Sequence, residues 1–223
     1  MVYGRAQMVQ KAREAVLRGC HEMAAKGYAL GTSGNISARV EGKPLFVITP
    51  TSRPYDRLRP EDIVLADMEG HIIESRWKPS IEFSLHRAIY LRRPDAAAIV
   101  HTHSAAATAA ASIKGLLTIL AVDIETIGYL GGDLQVAAFE PPGSEALAQK
   151  TTEALGKGLG VLMRSHGAIG IGRSVEEAMV SADHVERTCA IYLSIRAFGE
   201  PEPLPMEWRQ KAIAAFCAER GIE

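Results

Sequence analysis

One short stretch of this chain has residue types and spacing suited to metal chemistry: Val100-His101-Thr102-His103-Ser104, entered straight from Ala97, Ala98, Ile99 and Val100. The apolar run reads as a buried strand, in which residues two apart point to the same face. His101 and His103 would then aim two imidazoles at one point, where the strand end opens into a cleft. Converging neutral imidazoles are the beginning of a zinc site. A lone His-x-His also occurs as an ordinary structural pair, so other parts of the chain must supply further groups. A third histidine, His166, stands in Ser165-His166-Gly167 at the end of a second apolar run, 160–164.

A carboxylate and several hydroxyls stand at comparable places. Lys78-Pro79-Ser80 leads into a helix predicted over 81–92, with Ser80 as its N-cap. Glu82 then falls in the first turn, where the helix dipole stabilises a carboxylate; for a glutamate taken alone, that role is sufficient. Gly31-Thr32-Ser33-Gly34-Asn35-Ile36-Ser37 reads by itself as a turn, though such loops also bring N–H groups and hydroxyls to an anion. Thr49-Pro50-Thr51-Ser52 is a second hydroxyl cluster, after a strand predicted over 45–48. Three ligands and an open position mark a catalytic zinc, which polarises a carbonyl. A nearby carboxylate can move a proton on the adjacent carbon, and the hydroxyl loops can hold a phosphate. Together these describe a metal-assisted enzyme acting on a small phosphorylated carbonyl compound.

The elements that must position these groups alternate along the chain. Apolar residues at helical spacing predict a helix over 5–26, ended by Gly27. Residues 63–66 and 71–74 flank Met68-Glu69-Gly70 as a hairpin. An alanine-rich helix is expected over 104–113, a strand over 116–122, and a loop at Gly128, Gly131 and Gly132. A strand over 134–139 and a helix from Ser144 to about 155 follow. Ser174 and Glu177 read as a capping box for a helix reaching about 198. From about 199 the tail is proline-rich, then forms a short helix around 213–217. His86 and His184 read as structural, and His71 as solvated.

With 223 residues, 47% hydrophobic and 23% charged, the chain suits one globular domain over 1–223, with a variable tail from about 199. A net charge of −1 argues against a nucleic-acid surface. No apolar run suits a membrane span, and the N-terminal residues lack a signal-peptide core. Cys20, Cys189 and Cys217 are widely spaced and read as small hydrophobes in a reducing, cytoplasmic setting.

Gly31-Thr32-Ser33-Gly34-Asn35, Thr49-Pro50-Thr51-Ser52, Pro79-Ser80-Ile81-Glu82, His101-Thr102-His103 and Ser165-His166-Gly167 occur in one order over roughly 5–198. In this the chain resembles the class II aldolase/epimerase family, closest in motifs to its L-fuculose-1-phosphate aldolase branch. The resemblance implies an α/β three-layer sandwich with a largely antiparallel central sheet flanked by helices. It implies a metal, Zn2+ or else Mn2+ or Co2+, held by His101, His103 and His166, with Glu82 as displaceable ligand and catalytic acid/base. It assigns the substrate phosphate to Gly34, Asn35, Thr51, Ser52 and Ser80, and implies a homotetramer with interfacial active sites. Since the aldolase branch carries glutamate at this position and the epimerase branch aspartate, Glu82 makes the resemblance imply zinc-dependent retro-aldol cleavage of a ketose 1-phosphate to dihydroxyacetone phosphate and an aldehyde. Fuculose, 5-deoxyribulose and methylthioribulose 1-phosphates are the substrate types to expect.

Three departures concern the aldehyde end. Ile81 replaces a second serine, the tail does not align, and the family's tyrosine proton donor has no clear match. Asp123, Glu125 and Tyr129 are the candidates for that donor. Relatives that decarboxylate, dehydrate or epimerise sugar phosphates are the alternative, and an adducin-like interaction module the more distant one.

Overall fold

The computed structural model describes residues 2–222. Its strands are β1 (Asn35–Arg39), β2 (Leu45–Ile48), β3 (Val64–Asp67), β4 (Ile72–Glu74), β5 (Ala98–Thr102), β6 (Thr118–Ile119), β7 (Leu134–Ala137), β8 (Gly160–Met163) and β9 (Gly167–Gly172). Its helices are α1 (Val2–Ala25), α2 (Phe83–Arg92), α3 (Ala105–Ala111), α4 (Ile124–Leu130), α5 (Glu145–Leu155), α6 (Val175–Arg196) and α7 (Met206–Arg220).

The strands form one nine-stranded sheet in the order β4-β3-β2-β1-β5-β9-β8-β7-β6. Every neighbouring pair is antiparallel except β7–β8. β5 lies between β1 and β9, and its unbroken apolar run is explained by burial on both faces. Ile99 and Val100 are fully buried, each contributing about 1.5–3 kcal/mol by leaving water.

Helices cover the two faces. Val16 and Met23 of α1 and Met179 of α6 pack with Ile36, Val47 and Val100 on one face. Ala107 and Ala110 of α3, Leu130 of α4 and Val185 of α6 extend that layer over Leu162 and Ala168. On the other face, Leu85 and Ile89 of α2 and Leu147 of α5 pack with Phe46, Ile99 and Ile169. The molecule is thus the expected three-layer α/β sandwich with a mostly antiparallel sheet.

Several elements differ from the sequence expectation. The predicted turn at 31–37 gives way at Asn35 to β1, whose polar side chains are buried by partners elsewhere in the chain. The glycines after His166 belong to β9. Gly128, expected in a loop with Gly131 and Gly132, lies inside α4: the Asp123 side chain caps that helix by accepting from the Thr126 N–H at 3.0 Å, and Gly131 beyond it has φ +74°. α2 begins at Phe83, so Glu82 is its N-cap residue rather than a member of its first turn. α7 spans far more than 213–217, and β6 is shorter than 116–122. The Ser174 hydroxyl accepts from the Glu177 N–H as predicted, but the Glu177 carboxylate answers to the Arg173 N–H. All three cysteines are buried and free.

Candidate metal centre and active site

The sheet register builds the centre. His101 pairs with Asn35 of β1 on one side and with Ile169 of β9 on the other. His103 stands just past the end of β5, its backbone N–H donating to the Tyr28 carbonyl at 2.8 Å. His166 lies in the tight β8–β9 turn, after Ser165 at φ +54°. The three ring centroids are 4.8, 4.9 and 5.0 Å apart, and one nitrogen from each falls within 4.8 Å of the others.

Two glycines make this approach possible. At Gly34, φ is +72° and a Cβ would lie 2.7 Å from the His101 carbonyl oxygen. At Gly167 a Cβ would lie 2.1 Å from the Thr102 carbonyl oxygen.

The fully buried His101 donates Nδ1–H to the Ala168 carbonyl at 3.0 Å, so its Nε2 faces the centre. A backbone carbonyl in that place fixes ring orientation and tautomer, as in established metal sites. His103 Nε2 is 3.0 Å from His101 Nε2. Glu82, 3% exposed, enters from the α2 side. Its Oε2 is 3.1 Å from His101 Nε2 and its Oε1 is 3.0 Å from His166 Nε2. Asn35 donates Nδ2–H to Oε2 at 2.6 Å.

The electrostatics follow from this crowding. Burial alone would raise Glu82, but the His101 and His166 imidazoles outweigh it and hold the carboxyl far below its ordinary range. Burial works against a charged His101, yet the Glu82 carboxylate and the Ala168 carbonyl raise it overall. His103 is pushed down to about 4, first by burial and then by His101 and His166.

The donor set fits a divalent cation. His101 Nε2 lies 3.0 Å from His103 Nε2 and 3.1 Å from Glu82 Oε2, so imidazole nitrogens and a carboxylate oxygen converge on one point. Glu82 Oε1 lies 3.0 Å from His166 Nε2 without an aligned hydrogen bond to it. Three imidazoles and a carboxylate are suited to zinc, and also to manganese or cobalt.

Of the residues expected at a phosphate, Ser80 and Asn35 lie against Glu82, while Thr51 and Ser52 line a separate cavity. Ser80 is buried; its N–H donates to the Thr49 carbonyl at 3.0 Å, and its Oγ accepts from the Glu82 N–H at 3.2 Å. Asn35 turns its amide nitrogen to Glu82. Thr51 and the exposed Ser52, with φ +54°, line a cavity of about 630 Å3 with Arg53, Arg76 and Lys78. Arg53 stacks on Trp77 at 3.5 Å from the ring centroid. These cations went unnoticed in the sequence because they are dispersed among ordinary surface charges. A larger cavity of about 840 Å3 lies near Arg39 and Arg173, at the opposite end of the sheet from the histidines.

The candidates for a second proton donor all lie on or next to α4. Asp123 and Glu125 pair with Arg187 at 3.3 Å each, and Tyr129 stacks on His184 with centroids 3.7 Å apart. His86, read as structural, is fully buried with Nδ1 2.7 Å from Ser37 Oγ.

Known proteins resemble this chain in sequence and fold. A 5-deoxy-D-ribulose 1-phosphate aldolase of Bacillus thuringiensis serovar kurstaki is 32% identical over 209 residues, covering 94% of this chain and 97% of that one. An L-fuculose phosphate aldolase of Escherichia coli is 32% identical over 194 residues, covering 87% and 88%. A solved structure of L-fuculose 1-phosphate aldolase superposes with a TM-score of 0.86 at 28% identity, covering 92% of this chain and 96% of that one. Residues 14–193 match the model for the class II aldolase and adducin N-terminal domain. With the sheet order, the histidine triad and these relatives in agreement, the chain belongs to the class II aldolase and adducin N-terminal domain family, as one of its class II aldolase-type enzymes.

Proposed function

We propose that this enzyme catalyses the divalent-metal-dependent retro-aldol cleavage of a ketose 1-phosphate, giving dihydroxyacetone phosphate and an aldehyde. The observation that carries the reading is the Glu82 carboxylate, 3.0 and 3.1 Å from two imidazole nitrogens of the His101, His103 and His166 cluster. Those three histidines would hold the cation, zinc first, and Glu82 would be its displaceable fourth ligand. A cation held there supplies Lewis-acid polarisation of a carbonyl.

The protein's own groups do the rest. Glu82, released from the cluster, is placed to take or return a proton at the carbon next to that carbonyl; such acid–base catalysis contributes about 10²–10⁴-fold. The Asn35 amide holds its carboxylate in place. The phosphate end falls to Gly34, Asn35, Thr51, Ser52 and Ser80, with Arg53, Arg76 and Lys78 supplying positive charge. Apolar side chains left exposed near this end of the sheet include Ile81 and Phe139. They suit an aldehyde with an apolar end, from 5-deoxypentulose or methylthiopentulose 1-phosphates, and the named relatives act on compounds of related type. Exposed Leu117 and Ile124 suit the burial of surface between copies in a homotetramer.

The test is dihydroxyacetone phosphate release from fuculose, rhamnulose, ribulose, 5-deoxyribulose and methylthioribulose 1-phosphates, with and without chelator. Release that chelator abolishes and Glu82→Gln lowers about 10²-fold or more supports the reading. No release from any of them by metal-loaded protein refutes it and turns the assignment to decarboxylation, dehydration or epimerisation.

A further inference from the structure

Below Glu82 a row of buried polar groups joins β1 to α2. Strand positions 35, 37 and 39 face helix positions 82, 86 and 90. Two residues of strand advance about 6.6 Å and four residues of helix about 6 Å, so the two elements stay in step. Asn35 meets Glu82 at 2.6 Å. Ser37 Oγ meets His86 Nδ1 and the Tyr90 hydroxyl, each at 2.7 Å. Arg39 meets the Tyr90 carbonyl at 2.5 Å and lies over its ring.

The direction of the hydrogen bonds can be read from the end of this row. Among the described residues, the Tyr90 hydroxyl has Ser37 Oγ as its one hydrogen-bond partner. Fully buried, it donates there. Ser37 must then donate to His86 Nδ1, which leaves His86 with its proton on Nε2. That N–H is buried without a partner, and so is the Asn35 Oδ1 acceptor one rung above. The two are complementary, a donor and an acceptor on adjacent rungs, and a single water between them would satisfy both.

We propose that His86, oriented by Ser37 and Tyr90, is a positioning residue: through Asn35 Oδ1 it fixes the Asn35 amide with its N–H toward Glu82. Without that donor Asn35 Oδ1 loses its partner, and the amide is held only by its bond to Glu82, free to tilt and shift the carboxylate with it. The consequence for turnover rests on the proposed role of Glu82; the orientation of the amide does not.

The test uses full-length protein before and after chelator treatment. Nitrogen-15 NMR of labelled histidine should show His86 as the neutral Nε2–H tautomer in both states, and an Nδ1–H tautomer overturns the proposal. In His86→Met the Asn35 side-chain amide signals should shift and broaden, while in His86→Gln, which can accept from Ser37 and donate through its own amide, they should stay near the wild-type positions. In kinetics, His86→Met should lower kcat about 10-fold or more with KM within about 3-fold, and His86→Gln should restore most of it. If His86→Met does not fold, Tyr90→Phe takes its place, with the same signals shifting to a smaller degree. Unchanged Asn35 signals in His86→Met, or in Tyr90→Phe where that replaces it, overturn the proposal, as does equal loss in the Met and Gln variants. If no ketose 1-phosphate is cleaved even by the wild type, the cleavage assignment fails while the NMR results still judge the positioning role.

Discussion

Each side chain at the centre owes its state to its neighbours. His86 is the clearest case for a pH effect. Burial first, and then the nearby His101, lower it from 6.5 to about 3, with Glu82 opposing. Between those values the unfolded chain takes up a proton that the folded chain refuses, so this contribution to stability is complete above 6.5 and shrinks as pH falls. The loss is about 2 kcal/mol between about pH 7.5 and about pH 5. His103 acts in the same sense and His101 in the opposite one, so the His86 share is the difference between wild type and His86→Gln. Urea unfolding of chelator-treated protein at the two pH values measures it, and equal pH slopes in the two proteins would refute the assignment.

At the scale of elements, the centre depends on how tightly β9 lies against β5. β9 is glycine-rich because space is short on its flanks: the backbone of Ala178 and Ala182 in α6 presses on it from one side. A methyl at Gly167 would collide with the Thr102 carbonyl oxygen at 2.1 Å and crowd His103 at 3.3 Å. Gly167→Ala should therefore cost more than about 2 kcal/mol and weaken metal retention, because His103 and His166 flank that crossing. Denaturant midpoints and bound-metal analysis read the two effects, and native values for both would show that the strands can part without harm. The same close contact explains why β9 was hidden in the sequence. Glycine argues against a strand, and nothing local reveals a helix resting on it. β1 was hidden for a related reason. Asn35, Ser37 and Arg39 look like loop residues until Glu82, His86 and Tyr90 are brought opposite them. α4 was within reach, since Asp123 and Gly131 are ordinary start and stop signals, outweighed by the glycine at 128.

At the scale of the whole molecule, charge is arranged unevenly around a chain of net charge −1. The cavity at Thr51 and Ser52 has Arg53, Arg76 and Lys78 in its lining and no carboxylate. A dianionic substrate would be drawn to it, more strongly at low salt. Replacing Arg53 and Lys78 together by methionine should raise KM about 10-fold or more, leave kcat within a few-fold, and flatten the salt dependence of kcat/KM. A fall in kcat at unchanged KM would mean that the phosphate binds elsewhere.

The His-x-His stretch, the third histidine, the helix-start glutamate and the capped helices were legible in the sequence because each depends on local spacing. A strand's two-residue period places His101 and His103 together without reference to the rest of the chain. The distances from Glu82 to His101 and His166, the turn of Asn35 toward Glu82, and the cationic cavity were decided only by the tertiary structure. They join residues dozens of positions apart, and such contacts exist only once β1, β5, β9 and α2 have packed into one core.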